Sequence, residues 1–212
     1  MTHTERHQRL RIGACRLCMA LDHESTSEFT EGIVRLSDAF PVVPGHELLV
    51  TTGHTVGLGH AWSSHSLTRL ASTISRHFAM PHLLLEHGVT ATRPRRGCID
   101  HAHMHVIPDT DADVGRLLAT RAFSFLTESQ LDLVALPELP SAVNGRDYLW
   151  FSNSEGYSIL IQPPATITVP VQLARRAIAE TLRISNWDWR RQLALSTAAK
   201  SPRGPMIDDP AG

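Results

Sequence analysis

Three histidines alternate with apolar residues in the segment CIDHAHMHVIP, residues 98–108, and this pattern limits what the chain can fold into. His101, His103 and His105 occupy every second position, and an alanine, a methionine and a valine each follow one of them. Successive side chains of a β-strand point to opposite faces, so the pattern predicts a strand with one imidazole face and one apolar face. The outer two histidines of such a strand lie about 13 Å apart, so we expect the three to have separate roles.

Two kinds of chemistry use imidazoles arranged in this way. In a catalytic metal site, two of the histidines and a third group bind zinc and leave one position for water. In nucleophilic catalysis, one imidazole attacks an electrophile while its neighbours manage protons and charge. The third interpretation, a solvated strand face, suits a single histidine better than three in register. The residues by themselves leave both chemistries open.

Length and composition predict a chain that buries a substantial core. The protein has 212 residues, of which 42% are hydrophobic, enough for one domain or for one domain with an extension. A net charge of -1 argues against a dedicated nucleic-acid or membrane-surface partner, since both need a basic surface. We find no apolar stretch of signal-peptide length at the N-terminus and no run of roughly 18 apolar residues, so we expect a cytoplasmic protein.

Hydrophobic periodicity divides the chain near residue 112. The first region, 1–112, is predicted to be a domain of strands with one clear helix around residues 64–79. The second, 113–200, is predicted to be an extension built from a helix, a hairpin and further helices, and 201–212 has the composition of a disordered tail. The predicted strands are GIVRLSDAF, HELLVTT, HLLLEHG and CIDHAHMHVI, the hairpin is DYLWFSNSEGYSILIQPP, and the later helices are VGRLLATRAF and QLARRAIAETLRI.

The three cysteines are too few for a disulfide scaffold. Cys15 and Cys18 form a C-x-x-C turn, which supplies half of a tetrahedral zinc site. The other half would have to be histidine, because Cys98 lies immediately beside the triad strand. A redox dithiol is the competing interpretation, and zinc is favoured because the pair does not sit between a strand and a helix of a βαβ unit.

Three segments in this order, PVVPGHELLVTTGH, LLLEHG and DHAHMHVIP, resemble the histidine triad (HIT) superfamily of nucleotide hydrolases and nucleotidyltransferases. The resemblance covers about residues 13–110. It implies an α+β fold, namely a HIT-like antiparallel sheet packed with helices, to which this chain adds a C-terminal α/β extension. It also implies a nucleotide or nucleotide-conjugate substrate and a homodimer.

The resemblance assigns roles to individual residues. It makes His103 the nucleophile that forms a covalent nucleotidyl-histidine, and it makes His105 a donor to the phosphate or the leaving group. His46, in the upstream G-H-x-L-V segment, would hold the opposite side of the phosphate. By similarity to zinc-bearing relatives, including the galactose-1-phosphate uridylyltransferases, a structural Zn²⁺ would be bound by Cys15, Cys18, His54 and His101.

The same resemblance implies a set of nucleotide-binding residues. Asp38 would contact the ribose, and Glu86 stands where the family has an amide residue that contacts the nucleotide. Arg96 and Cys98 stand where many members have a Gly-Gln-Ser/Thr run that binds phosphates, and the neighbouring Arg93 and Arg95 can also recognise phosphate.

Two interpretations of the predicted C-terminal helix remain open. Arg175 and Arg176 either flank a core stripe, or Arg175 joins Gln172 over the phosphate site. The functional expectation is a nucleotide hydrolase or nucleotidyltransferase that cleaves at an α-phosphate. Its alternatives are a zinc-dependent hydrolase that uses the triad as a catalytic metal site, and a nucleotide-binding regulatory protein without turnover.

Overall fold

The computed structural model of this chain describes residues 15–23, 28–90, 101–108, 129–167, 169–170, 172–185 and 187–200. The strands within these ranges are β1 Glu28–Thr30, β2 Ile33–Ser37, β3 Glu47–Thr51, β4 His82–Gly88, β5 His103–Pro108, β6 Gln130–Asp132, β7 Tyr148–Asn153 and β8 Ser158–Gln162. The α-helices there are α1 Arg16–His23, α2 Leu58–Ala61, α3 Ser64–His77, α4 Leu139–Val143, α5 Leu173–Leu182 and α6 Trp189–Lys200, and a 3-10 turn, Leu136–Glu138, precedes α4.

The eight described strands form one sheet in the order β1-β2-β3-β5-β4-β7-β8-β6. Every pairing between neighbouring strands is antiparallel. The predicted α+β class, an antiparallel sheet packed with helices, is therefore confirmed. The prediction of a central triad strand is also confirmed, because β5 lies between β3 and β4 and His105 pairs with Leu48 on one side and Leu85 on the other.

The triad strand begins later than its sequence pattern indicates. β5 starts at His103, so His101 and Ala102 precede the strand, and residues 98–100 lie outside the described residues. The N–H of Ala102 donates to the carbonyl of Thr55 at 2.6 Å, which ties this approach segment to the loop after β3. Because His101 precedes β5, it does not follow the strand alternation that places His103 and His105 on one face of the sheet.

The sheet separates two hydrophobic layers. One face, which we call the triad face, carries His103 and His105 and packs Leu85 and Phe151 against Ile178 of α5. The opposite face, which we call the α3 face, buries Met104, Val106 and Trp150 against Leu67, Leu70 and Ile74 of α3. Helix α3 is the helix predicted around 64–79, and its first turn is capped by Ser63, whose Oγ accepts from the N–H of Ser66 at 3.2 Å.

The C-terminal extension continues the same sheet. β7 and β8 form the predicted hairpin, and β7 pairs directly with β4 through Leu85 and Phe151. The sheet is thus continuous across the predicted division of the chain. The boundary near 112, the predicted helix VGRLLATRAF and the tail 201–212 all lie outside the described residues.

Several short elements were not predicted. The C-x-x-C segment was expected to be a turn, but Cys18 lies in α1 and Cys15 immediately precedes it. β1, β6, α2 and α4 have between three and five residues each, which is too short for periodicity to reveal. In the described part of the chain, no helix has the length and apolar character needed to cross a bilayer.

Candidate active site and metal site

The structure brings together the four residues predicted as metal ligands, Cys15, Cys18, His54 and His101, which we call the Cys/His cluster. Their ligand atoms all lie within 4.8 Å of one another, so the cluster can hold a metal ion. Cys18 Sγ lies 3.3 Å from His54 Nδ1 and 3.4 Å from His101 Nδ1, and Cys15 Sγ lies 3.6 Å from His101 Nδ1. A tetrahedral zinc ion with ordinary bond lengths requires sulfur-to-nitrogen separations of about 3.5 Å, and these distances meet that requirement.

The surroundings of the Cys/His cluster also fit a metal site. The Nε2–H of His101 donates to the carbonyl of Thr51 at 2.7 Å, which leaves Nδ1 with its lone pair directed at the thiols. Burial lowers the pKa of His101 to about 4, so the ring is neutral at physiological pH. Burial, and then the hydrogen bond with Cys15, raises the pKa of the Cys18 thiol to about 12. Metal binding to this cluster therefore releases protons.

His103 has one nitrogen committed to the backbone. Its Nδ1–H donates to the carbonyl of His101 at 2.6 Å, so Nε2 is the nitrogen that keeps a lone pair. Burial lowers the pKa of His103, which favours this neutral form. An oriented neutral imidazole is the form that can act as a nucleophile.

His46 lies behind His105 and orients it. The loop between β2 and β3 folds back on itself, with the N–H of Asp38 donating to the carbonyl of His46 at 3.0 Å. The N–H of Val42 donates to His46 Nδ1 at 3.2 Å, so His46 carries its proton on Nε2. That Nε2 lies 2.8 Å from His105 Nδ1 and donates to it, which leaves His105 with its proton on Nε2. Burial lowers the pKa of His46 to about 4, in agreement with a neutral ring.

The position of His46 differs from the role that the resemblance implied. The residue is 2% exposed, and its imidazole contacts His105, Val42 and Asp38. It therefore supports His105 from behind, and it is not among the residues that line the cavity against the triad face of the sheet.

Asp38 is the residue predicted to contact the ribose, and its carboxylate is already engaged. Oδ1 accepts from the N–H of Phe40 at 2.9 Å, and Oδ2 lies 3.2 Å from His46 Nδ1. Oδ2 also accepts a hydrogen bond from the guanidinium of Arg175 in α5. Arg175 therefore belongs to this site and does not flank the core stripe of its helix.

A cavity of about 460 Å³ lies against the triad face, and we call it the triad pocket. His103 and His105 contribute to its polar wall, and the other polar or charged lining residues are Arg16, Ser37, Asp38, His87 of β4, Gln172 and Arg175. Its remaining walls are largely apolar and come from α1, β2, β3 and the C-terminal extension; among them are Leu17, Met19, Leu36, Leu48, Phe40 and Trp189. Drug-sized ligands occupy cavities of roughly 300–1,000 Å³ with this mixture of walls.

Of the other predicted nucleotide-binding residues, only Glu86 is among the described residues. Glu86 pairs with Met104 and points to the α3 face, where its carboxylate accepts from the N–H of Leu58 at 2.6 Å and from the hydroxyl of Tyr148 at 2.6 Å. The structure therefore does not bring Glu86 to the triad pocket, and its neighbour His87 lines the pocket instead. Arg96 and Cys98, like Arg93 and Arg95, lie outside the described residues.

The triad does not converge on one metal ion. His101 Nδ1 faces the Cys/His cluster, while His103 Nδ1 donates to a carbonyl. Asp38, His46 and His105 do place ligand atoms within 4.8 Å of one another. This second group is poorly suited to binding a cation. The guanidinium of Arg175 already pairs with the Asp38 carboxylate, and the imidazoles of His46 and His105 are hydrogen-bonded to each other.

Sequence reasoning missed the involvement of His87, Phe40 and Trp189 in the pocket. The alternation of β4 indicates that His87 and Glu86 face opposite sides, but which side faces the triad depends on the pairing with β5. Phe40 and Trp189 come from a loop and from the extension, and their rings lie 6.4 Å apart at the centroids. No periodic signal links these two positions.

We find no protein-family model and no curated protein that matches this sequence. Among solved structures, the yeast Ap4A phosphorylase Apa2 in complex with AMP is 16% identical over 64% of this chain and 57% of that chain, with a TM-score of 0.41. A DUF4931 family protein from Bacillus cereus is 13% identical over 71% of this chain and 95% of that chain, with a TM-score of 0.39.

A GalT-like protein from Arabidopsis thaliana is 10% identical over 65% of this chain and 75% of that chain, with a TM-score of 0.35. The matched region spans little more than half of the yeast phosphorylase chain. Each of these TM-scores is below 0.5, so the functional proposals rest on the side chains of this chain.

Proposed function

We propose that this protein is a nucleotide hydrolase or nucleotidyltransferase that cleaves at the α-phosphate of a nucleotide conjugate through a covalent intermediate on His103. The observation that carries the proposal is the hydrogen bond from His103 Nδ1–H to the carbonyl of His101, 2.6 Å long. It fixes the tautomer in which Nε2 is the nucleophilic nitrogen, on a ring that lines the triad pocket.

The chemical step uses this nitrogen directly. Nε2 of His103 attacks the α-phosphorus, a nitrogen–phosphorus bond forms, and the bond from phosphorus to the leaving group breaks with its electron pair passing to the leaving group. A neutral imidazole approaches an anionic phosphate with less repulsion than an anionic nucleophile would. Water or another acceptor then takes the nucleotidyl group from His103 and restores the free imidazole.

His105 supplies the stabilising donor in this step. Its Nδ1 accepts from His46, so its Nε2–H is available to donate a hydrogen bond to a phosphate oxygen. A preorganised donor in a site with apolar walls stabilises the charge of the transition state without reorganisation. His46 acts through His105 and is a positioning residue.

We propose that the Cys/His cluster binds a structural Zn²⁺. Two thiols and two imidazoles fill a tetrahedral coordination sphere, which is the arrangement of closed structural sites. When bound, the ion supplies folding free energy and fixes the orientation of its ligands. Cys15, Cys18 and His101 would thereby tie α1 to the segment that enters β5, next to the carbonyl that orients His103.

The experiment that tests the function is covalent trapping. The protein is incubated with α-³²P-labelled dinucleoside polyphosphates, nucleotide sugars and nucleoside phosphoramidates, denatured in base, and examined for protein-bound label. We expect label that is stable in base and lost in acid, as phosphohistidine is, and we expect none in His103→Ala. The loss of turnover in His103→Ala should exceed the 10²–10⁴-fold typical of a lost general acid or base.

The control variant is His65→Ala, which changes an exposed histidine of α3 and should label and turn over like the parent. If His103→Ala turns over its best substrate at the parent rate, the histidine-nucleophile proposal is wrong. If no substrate in the panel is cleaved but nucleotides bind, the protein is a nucleotide-binding protein without turnover.

A further inference from the structure

Helix α5 of the C-terminal extension delivers a buried arginine to the triad site. Arg175 is 5% exposed, and its Nε–H donates to the carbonyl of Trp187 at 3.0 Å. Its two terminal nitrogens donate to the Asp38 carboxylate and to the carbonyl of Phe40. One guanidinium thus joins the extension to the loop that carries both Asp38 and His46.

We propose that Arg175 is a positioning residue that, by pairing with Asp38, fixes the tautomer of His46, and through it the proton that His105 presents to the phosphate. This inference rests on the proposed function and deepens it, because it assigns Asp38 to the histidine pair and not to the sugar. The contacts of Asp38 carry the first step. Its side chain is 8% exposed, and both of its oxygens have partners within the protein.

The second step concerns the two neighbours of His46 Nδ1. The N–H of Val42 lies 3.2 Å away and can only donate, while Oδ2 of Asp38 also lies 3.2 Å away and can only accept. An unpaired carboxylate at this distance would draw the proton of His46 to Nδ1. The guanidinium of Arg175 offsets that attraction, so Nδ1 accepts from Val42 and the proton stays on Nε2.

The third step follows along the hydrogen-bond chain. With its proton on Nε2, His46 donates to His105 Nδ1, and His105 must then carry its own proton on Nε2. If the proton of His46 moved to Nδ1, His105 would donate to His46 and would present a lone pair to the phosphate. Two lone-pair-bearing nitrogens, on His103 and His105, would then face the anionic substrate without a donor between them.

Other ionisable groups also face the His46–His105 pair. Among the described residues, these groups are Asp38, Arg175, His103 on β5 and His87 on β4. Burial lowers the pKa of the Arg175 guanidinium, and Asp38 and, to a smaller extent, Asp188 of α6's approach segment oppose that shift. Burial lowers the pKa of His103, so its neutral ring adds no formal charge, and the Arg175–Asp38 pair is the ion pair in contact with His46.

The test compares Arg175→Gln, Asp38→Asn and the double variant with the parent. Arg176→Gln is the matched control, because Arg176 is the adjacent residue of the same helix, is 40% exposed and pairs with Glu180 on the surface. Nitrogen-15 NMR of histidine-labelled protein, without any substrate, reports which ring nitrogen of His46 carries the proton, and the spectrum of His46→Gln assigns the signal. Turnover is measured on a nucleoside 5′-phosphoramidate and on its 2′-deoxy counterpart.

We expect the parent and Arg176→Gln to show His46 protonated on Nε2, and Arg175→Gln to show it shifted towards Nδ1. Arg175→Gln should lower kcat by about 10–100-fold with a smaller change in KM, as is typical when a supporting interaction is lost. Asp38→Asn removes the carboxylate that draws the proton to Nδ1, so it should keep His46 protonated on Nε2 and change kcat much less. The loss should be equal for the ribo and deoxy substrates. The double variant should regain the Nε2 proton and most of the kcat lost in Arg175→Gln, because it removes the carboxylate together with the guanidinium that balances it.

Three results would overturn this assignment. The first is a parent protein with His46 protonated on Nδ1. The second is an unchanged tautomer and kcat in Arg175→Gln. The third is an Asp38→Asn variant that raises KM for the ribo substrate alone, which would make Asp38 a ribose contact.

Thermal melting verifies that each variant folds, and if Arg175→Gln does not fold, Arg175→Met carries the same NMR comparison, with Arg175→Lys, which keeps the charge, expected to retain the proton on Nε2. The NMR measurement requires no turnover. It therefore tests the tautomer of His46 independently of the covalent-trapping test on His103.

Discussion

The Cys/His cluster and the triad pocket share one short segment of chain but have different partners for their imidazoles. His101 faces two sulfur atoms, whereas His105, four residues later, faces another imidazole that is held by a backbone N–H and an ion pair. Sulfur and nitrogen donors at these distances favour a metal ion, while a fixed chain of hydrogen bonds favours a defined tautomer. The comparison is the basis for our proposal that the first group stabilises the fold and the second performs the chemistry.

The largest effect that distinguishes the two groups is expected in the Cys/His cluster. Cys18→Ser should lose the bound metal and melt about 10 °C below the parent, because a structural metal contributes its binding free energy to folding. Metal content by mass spectrometry and thermal melting check this result. Cys98→Ser, a change of the remaining cysteine, should keep one metal per chain. A metal-free parent that melts at the same temperature as Cys18→Ser would remove the structural role from the cluster.

A smaller effect, on rate and not on metal content, is expected at His46. His46→Phe fills a similar volume but removes the donor to His105 Nδ1, so kcat should fall by about 100-fold. His46→Gln keeps an N–H that can donate to His105 and should recover a large part of that loss. Both variants should retain the metal of the parent. If His46→Phe and His46→Gln lose activity equally, the hydrogen bond to His105 is not what His46 contributes.

The smallest effect is expected at Glu86, a buried acid that belongs to neither group. Burial raises its pKa from 4.5 to about 7 in the folded protein, against the hydrogen bonds from Tyr148 and Leu58. A carboxyl whose folded pKa is raised binds more protons in the folded state, so its contribution to stability is full below about pH 4.5 and is lost as the pH rises to about 7.

Relative to Glu86→Gln, the parent should therefore lose about 3 kcal/mol of unfolding free energy between pH 4.5 and pH 7.5. Urea unfolding across this range measures the difference, and Glu31→Gln, which changes a 77% exposed carboxylate, is the control. Equal pH profiles for parent and Glu86→Gln would show that Glu86 does not take up this proton. Turnover at its optimum should be little affected by Glu86→Gln, since Glu86 lies on the opposite face of the sheet from His103.

Most of the fold on either side of the triad followed from periodicity. The central strands and helix α3 have five or more residues with clear alternation or helical spacing, and their predictions were confirmed. The short elements were missed because three to five residues do not define a period. The C-x-x-C segment was misassigned as a turn, since cysteine spacing predicts ligands and says little about backbone conformation.

The sequence by itself determined which residue types are available for each chemistry. The alternation around His103 and His105 placed both on one strand face, and the C-x-x-C spacing paired two thiols that can bind a metal ion. These properties depend on local spacing, which the backbone geometry converts directly into direction.

The tertiary structure alone decided how those residues are partnered. His101 escapes the strand alternation because it precedes β5, and Glu86 faces away from the pocket because Leu85, not Glu86, pairs with His105. Arg175 meets Asp38 across 137 positions of sequence. Such contacts arise from strand register and from the packing of α5 on the sheet, and neither leaves a periodic trace in the sequence because each depends on two segments that fold together.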